Sequence, residues 1–257
     1  MTKKKATESA KQVESVFRWA EKSTIDAINK ESTHVYGDRH ICRTDEIGFA
    51  FPRNRSPLEL VVDASEGFIP LWEQNTVLNW RFNERSLRNF VDPEESKKRI
   101  RELIGKAVMA WGNAVPVKFR ERSDLWDFEI SVRELDDCTT SGCVLASAFF
   151  PDGGRHELTI YPRMFQESEH EQIDTLAHEM GHIFGLRHFF AKVSETAWPS
   201  EVFGQHKPFS IMNYGANSEM TDDDRSDLQS LYRLVWSGQL TQINGTPIRL
   251  VRPYHAV

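Results

Sequence analysis

Between residues 178 and 188 the chain reads HEMGHIFGLRH, and no other run restricts its local fold as strongly. His178 and His182 are four apart, so a helix places both imidazoles on one face, one turn apart. That spacing suits two ligands of a single Zn²⁺ ion, each at about 2.0–2.1 Å. Glu179 falls on the adjoining face, where it can contact a metal-bound water without ligating the metal. A helix running straight on would carry His188 away from its partners. Gly185 prevents this, because glycine tolerates the left-handed backbone that ends a helix and turns the chain back. His188 can then complete a three-histidine site with an open fourth position, the arrangement of a catalytic zinc. Ile173, Leu176, Ala177, Met180 and Phe184 form an apolar stripe that anchors this helix, expected from about Glu171 to Gly185. Two His and a Glu on a helix can also be a solvated face, and a lone His188 a surface residue. The glycine and the third histidine at these offsets outweigh both readings.

A metal site needs a core to fix it. With 257 residues, sixteen Phe and seven Trp, the chain can build one large domain or a domain with an extension. The net charge of -6 argues against nucleic acid or an anionic membrane as partner. No apolar run approaches the ~18 residues that cross a bilayer. The start, MTKKKATESAKQVES, is basic without a following apolar stretch, so no secretory signal is expected here. An intracellular protein, one exported by another route, and a chain that begins after processing all remain open. Three cysteines, Cys42, Cys138 and Cys143, are too few and odd in number for a disulfide framework. Cys138 and Cys143 either close a small loop or stay reduced.

Periodicity divides the chain into an N-terminal extension, residues 1–75, and a catalytic domain, residues 76–257. The extension reads as a helix over 7–31, with Val13, Val16, Phe17 and Ala20 on one face, then an irregular segment with one strand near 59–63. A packing role and a propeptide-like role both fit it. In the second part, strands are expected at 77–82, 117–122, 127–134, 143–150 and 157–162. Asp92 before Pro93 starts a helix bearing Ile100, Leu103, Ile104, Ala107, Val108 and Trp111, with Glu95 set for a capping box. A last helix begins at Thr221, where Thr221 and Asp224 form a capping box, and buries Leu228, Leu231, Tyr232 and Val235. Strands clustered before the second long helix predict an α+β fold, a mixed sheet with helices packed against it. The Asp222–Asp224 run reads as helix N-terminal charge, so the sequence gives no indication of Ca²⁺. His34, His40, His156, His170, His206 and His255 lack ligand spacing and read as surface or loop residues.

HEMGHIFGLRH matches the HExxHxxGxxH signature of metzincin zinc peptidases, and SIMNYG at 210–215 resembles their Met-turn. The resemblance implies a twisted, mostly parallel sheet with an antiparallel edge strand, two long helices, and a short C-terminal subdomain with a closing helix. It implies one catalytic zinc on His178, His182 and His188, Glu179 as general base, and Met212 as an apolar floor beneath the ligands. Tyr214 resembles the tyrosine that astacins and serralysins hold near the metal to stabilise the transition state. VLASAFFP at 144–151 and TDDDRSDLQSLY at 221–232 are similar to the substrate-side edge strand and the closing helix of matrixins. Altogether the resemblance covers about residues 76–236. Phe189, after the third histidine, departs from all three families and leaves the subfamily open.

These matches imply an endopeptidase whose peptide or protein substrate lies along Ala146, Ser147, Ala148 and Phe149 by β-augmentation. Phe189, Phe190, Trp198 and Phe209 would line an apolar pocket on the leaving-group side. A non-proteolytic binding fold and a zinc hydrolase of non-peptide amides are the competing readings. All four zinc-site residues stand, against the first, and the strand and Met-turn resemblance argues against the second. Matrixins hold themselves latent with a propeptide cysteine on zinc, and Cys42 or Asp45 sits ahead of the domain. The residues around Cys42 do not match that propeptide motif, and a small buried cysteine is the favoured reading.

Overall fold

Alternation in VLNWRF and DFEISV commits these segments to strands, and parallel pairing follows because helices join them. The computed structural model describes residues 40–41, 44, 60–63, 67–139, 142–187, 200–203, 210–212 and 218–256. The strands in chain order are β1 His40–Ile41, β2 Leu60–Asp63, β3 Ile69–Trp72, β4 Val77–Phe82, β5 Lys118–Glu121, β6 Phe128–Val132 and β7 Asp137–Thr139. They continue with β8 Gly142–Val144, β9 Ala146–Ser147, β10 His156–Ile160, β11 Leu186–Arg187, β12 Ser200–Phe203, β13 Gln242–Ile243 and β14 Thr246–Val251. The helices are α1 Glu84–Leu87, α2 Pro93–Trp111, α3 Glu169–Ile183 and α4 Asp222–Trp236.

The main sheet has the order β5-β4-β6-β10-β9. Its first four strands are parallel, and β9 is antiparallel to β10 at the edge. This is the α+β arrangement expected, with a mostly parallel sheet and one antiparallel edge strand. Helices α2 and α3 pack against each other, with Ile100, Leu103, Ala107, Trp111, Leu176, Ala177 and Met180 buried. Asp92 caps α2 by accepting from the Glu95 N–H, and Pro93 occupies the first turn. Thr221 and Asp224 form the reciprocal capping box of α4.

Two differences from the sequence reading concern boundaries. Helix α3 begins at Glu169, capped by Ser168, which accepts from the Glu171 N–H. Ser168 and Glu171 carry the Ser-x-x-Glu spacing of a helix start, so the earlier boundary was present in the sequence. The expected 143–150 strand is interrupted at Leu145 and appears as β8 and β9. Cys138 and Cys143 form a disulfide across the β7–β8 hairpin, resolving the open alternative. Ile69, Leu71 and Trp72 in β3 are fully buried, and β3 pairs in parallel with β14. The helix expected over 7–31 lies outside the described residues. Among the described residues, no helix is long and apolar enough to cross a membrane.

Candidate metal centre

Helix α3 presents its chemistry and its anchor on different faces. Leu176, Ala177, Met180, Ile183 and Phe184 are fully buried, and Trp111 Nε1 donates to the Ala177 carbonyl at 2.8 Å. His178 and His182 project from the other side with their rings 4.8 Å apart. The helix stops as the glycine requires: Gly185 has φ +92 and its N–H donates to the His182 carbonyl at 2.8 Å. A side chain there would also meet Leu71 Cδ2 at 2.9 Å and the Pro70 carbonyl at 3.3 Å. Strand β11 then leads toward His188, which lies outside the described residues together with Tyr214, Phe189, Phe190, Trp198 and Phe209.

The two histidines are held by their inner nitrogens. His178 Nδ1 lies 2.7 Å from the Ile211 carbonyl and His182 Nδ1 2.7 Å from the Leu186 carbonyl. A carbonyl only accepts, so each Nδ1 carries the hydrogen and a neutral ring has an unprotonated Nε2. Those Nε2 atoms are 3.1 Å apart. Two lone pairs facing each other at this separation fit a cation between them. His178, Glu179 and His182 also offer ligand-type atoms within 4.8 Å of one another. The donor set therefore fits zinc.

Met212 is fully buried. It lies so close to the helix that a Cβ on Gly181 would stand 2.3 Å from its sulfur. Gly181 was not singled out from the sequence, and only a close approach from outside the helix requires it. The turn carrying Met212 is fixed from α4. Ser210 Oγ donates to Asp224 Oδ1 at 2.5 Å, the Ile211 N–H donates to Asp224 Oδ2, and Ser210 Oγ accepts the Met212 N–H. Asp224 is thus a buried bracket in addition to the capping-box residue and helix-end charge read from the sequence.

Aromatic side chains satisfy the orphan carbonyls at the end of α3. Trp72 Nε1 donates to the Ile183 carbonyl at 2.7 Å, and the Tyr232 hydroxyl donates to the Phe184 carbonyl at 3.0 Å. Burial pushes the Tyr232 phenol well above its ordinary range, so it stays a donor.

Edge strand β9 lies beside this centre. The Tyr161 N–H bonds the Leu145 carbonyl, so by alternation the polar backbone groups of Ala146 and Ala148 turn away from the sheet. The Phe149 side chain is buried, stacked on His156 with ring centroids 4.4 Å apart. His156 is therefore a half-buried residue of β10 rather than a loop residue, and burial holds its imidazole below the ordinary value. Glu179 is buried, and its Oε2 accepts a hydrogen bond of 2.9 Å from Thr44, a residue the sequence did not mark.

Comparison with known proteins gives two results. One solved structure, "Structure of myroilysin", is 13% identical, covers 67% of this chain and 98% of that chain, and superposes with a TM-score of 0.41. The family described as Matrixin matches residues 71–233, more than half of the chain and both long helices of the site. By that match the chain belongs to the matrixin family of metzincin metallopeptidases.

Proposed function

We propose that this zinc metalloendopeptidase binds its metal through His178, His182 and His188 and uses Glu179 to move the proton in peptide hydrolysis. The paired Nε2 atoms, 3.1 Å apart beside a buried carboxylate, carry this reading. Bound there, zinc supplies Lewis acidity, which polarises a carbonyl and brings a coordinated water toward neutral pKa. Glu179 accepts the water proton and delivers it to the leaving amine. The carbonyls of Ile211 and Leu186 keep both histidines in the ligating tautomer and orientation. Ala146, Ser147, Ala148 and Phe149 form the substrate rail, where backbone groups of Ala146 and Ala148 bind an extended peptide. Tyr214, two residues after Met212, is assigned to the developing oxyanion.

Casein hydrolysis with parallel metal analysis tests the assignment. Glu179→Ala should abolish cleavage while zinc stays near one per chain, and the triple His→Ala variant should lose the metal. In the same assay Tyr214→Phe should lower kcat and kcat/KM together, by about 10- to 10³-fold, with KM little changed. Cleavage by Glu179→Ala at the parent rate would overturn the proton assignment. Full zinc occupancy without any of the three histidines would overturn the ligand set.

A further inference from the structure

Strand β11 joins the turn at Gly185 to His188 and is only two residues long. The carbonyl of its first residue, Leu186, holds His182 Nδ1. Side chains alternate along a strand, so Arg187 turns the other way, and it is nevertheless fully buried. Its guanidinium carbon stands 4.6 Å from the ring centroid of Phe150, over the ring. Phe150 in turn packs on His182, with ring centroids 5.4 Å apart and planes at 77°. An unbroken series of contacts therefore runs from Arg187 through Phe150 to an imidazole of the metal centre. Phe150 also follows directly on Ala146–Phe149, and Pro151 closes on the same turn, its Cγ 3.5 Å from where a Cβ on Gly185 would stand. The end of the rail thus meets the stretch between the second and third proposed ligands at two places.

We propose that Arg187 is a positioning residue of this peptidase, which through Phe150 fixes both the His182 ring and the end of the substrate rail. The inference rests on the functional reading above. Taking a guanidinium fully out of water is costly, and an aliphatic side chain would fill a core position without that cost. Arginine suits a place where a cation must cover a ring, because the ring quadrupole attracts the charge most where water is excluded. With one face covered in this way, Phe150 has little freedom, and a fixed ring limits rotation of the imidazole packed on it. His182 is then held twice: the Leu186 carbonyl fixes its Nδ1, and Phe150 fixes its ring plane. The same contact ties the rail to the ligand-bearing segment, so a peptide on the rail keeps one distance from the metal centre.

A double-mutant cycle on the full chain tests this, with Arg187→Met, Phe150→Leu and the two together, and Arg187→Lys as the conservative change. Three quantities are measured: the zinc dissociation constant against a competing chelator, the visible spectrum of the cobalt-substituted protein, and kcat and KM on fluorogenic peptides at saturating zinc. Arg187→Met and Phe150→Leu should each weaken zinc binding by about 5- to 30-fold, the worth of one desolvated cation–π contact, and shift the cobalt bands alike. The double variant should lose no more than the larger single loss. KM should rise more than kcat falls, because the end of the rail moves with Phe150. Arg187→Lys keeps the charge without the planar fork and should fall between the parent and Arg187→Met. Additive losses of zinc affinity overturn the proposal and leave the peptidase reading intact. So does a parent-like affinity and spectrum in Phe150→Leu, a result that stands even where Arg187→Met fails to fold. A parent chain that holds no zinc overturns the peptidase reading, and the proposal with it.

Discussion

At the scale of single residues, the two glycines of the zinc helix answer different demands. Gly185 is needed for its backbone, at φ +92, and that need was readable because a local motif has to turn back there. Gly181 is needed for space, since Met212 fills the volume a Cβ would occupy, with Trp111 Cζ2 also within 3.3 Å. Nothing within the helix signals this, because the intruding residue arrives from a turn far along the chain. The contrast with Gly105, in the exposed middle of α2 with nothing within 4 Å of a Cβ, makes a paired prediction. Gly105→Ala should stabilise by about 0.4–1 kcal/mol through helix propensity and unfolded-state entropy. Gly181→Ala gains the same term but overpacks a closed site at about 1–3 kcal/mol, so it should be neutral to destabilising. It should also weaken zinc binding by roughly 10- to 100-fold, because the displaced turn carries the Ile211 carbonyl that orients His178. Urea unfolding and zinc titration check both; tight zinc binding in Gly181→Ala would mean Met212 moves freely.

At the scale of elements, the end of α3 is bound to its surroundings by donors from two other segments. The Tyr232 hydroxyl on α4 sits between the Phe184 carbonyl, to which it donates, and the Trp72 N–H of β3, from which it accepts at 3.3 Å. Trp236 Nε1 on the same helix donates to the Trp72 carbonyl at 2.9 Å. Tyr232→Phe keeps the ring in place and strands two buried backbone groups, which should cost about 1–3 kcal/mol. In denaturant the midpoint should fall with the slope unchanged; a change under about 0.5 kcal/mol would show that these groups find other partners. Sequence periodicity identified Tyr232 as a core position and could not show what its hydroxyl does. The main strands and long helices were legible for a related reason: alternation, helical stripes and the capping residues Asp92, Thr221 and Asp224 are local signals. The break at Leu145 and the second role of Asp224 depend on distant partners, and periodicity carries no record of them.

At the scale of the molecule, the N-terminal third does not stand apart from the catalytic centre. Strand β2 is the middle strand between β11 and β12, pairing Val62 with Leu186 and Val61 with Arg187. Strand β11 is the stretch between Gly185 and His188, so β2 sets the path by which the third proposed ligand arrives. The sequence showed a strand near 59–63, but its partners lie more than a hundred residues away and its register could not be read. Residues 60–63 and β3 hold the centre together, through the β2–β11 pairing and the Trp72 bond to the end of α3. A chain beginning at residue 67 tests this, since it removes β2 and leaves β3 intact. With β11 deprived of its pairing to β2, it should lose on the order of 3 kcal/mol, the net worth of a few backbone hydrogen bonds. That corresponds to roughly 6–12 °C in Tm for a domain of this size. Zinc affinity should fall with it, because the Leu186 carbonyl that holds His182 Nδ1 belongs to the loosened strand. Calorimetry with and without saturating zinc separates the two effects: added metal should raise Tm in both chains, and by less in the shortened one. Equal zinc-dependent shifts would show that β11 keeps its path without β2, and that the third ligand is positioned from elsewhere.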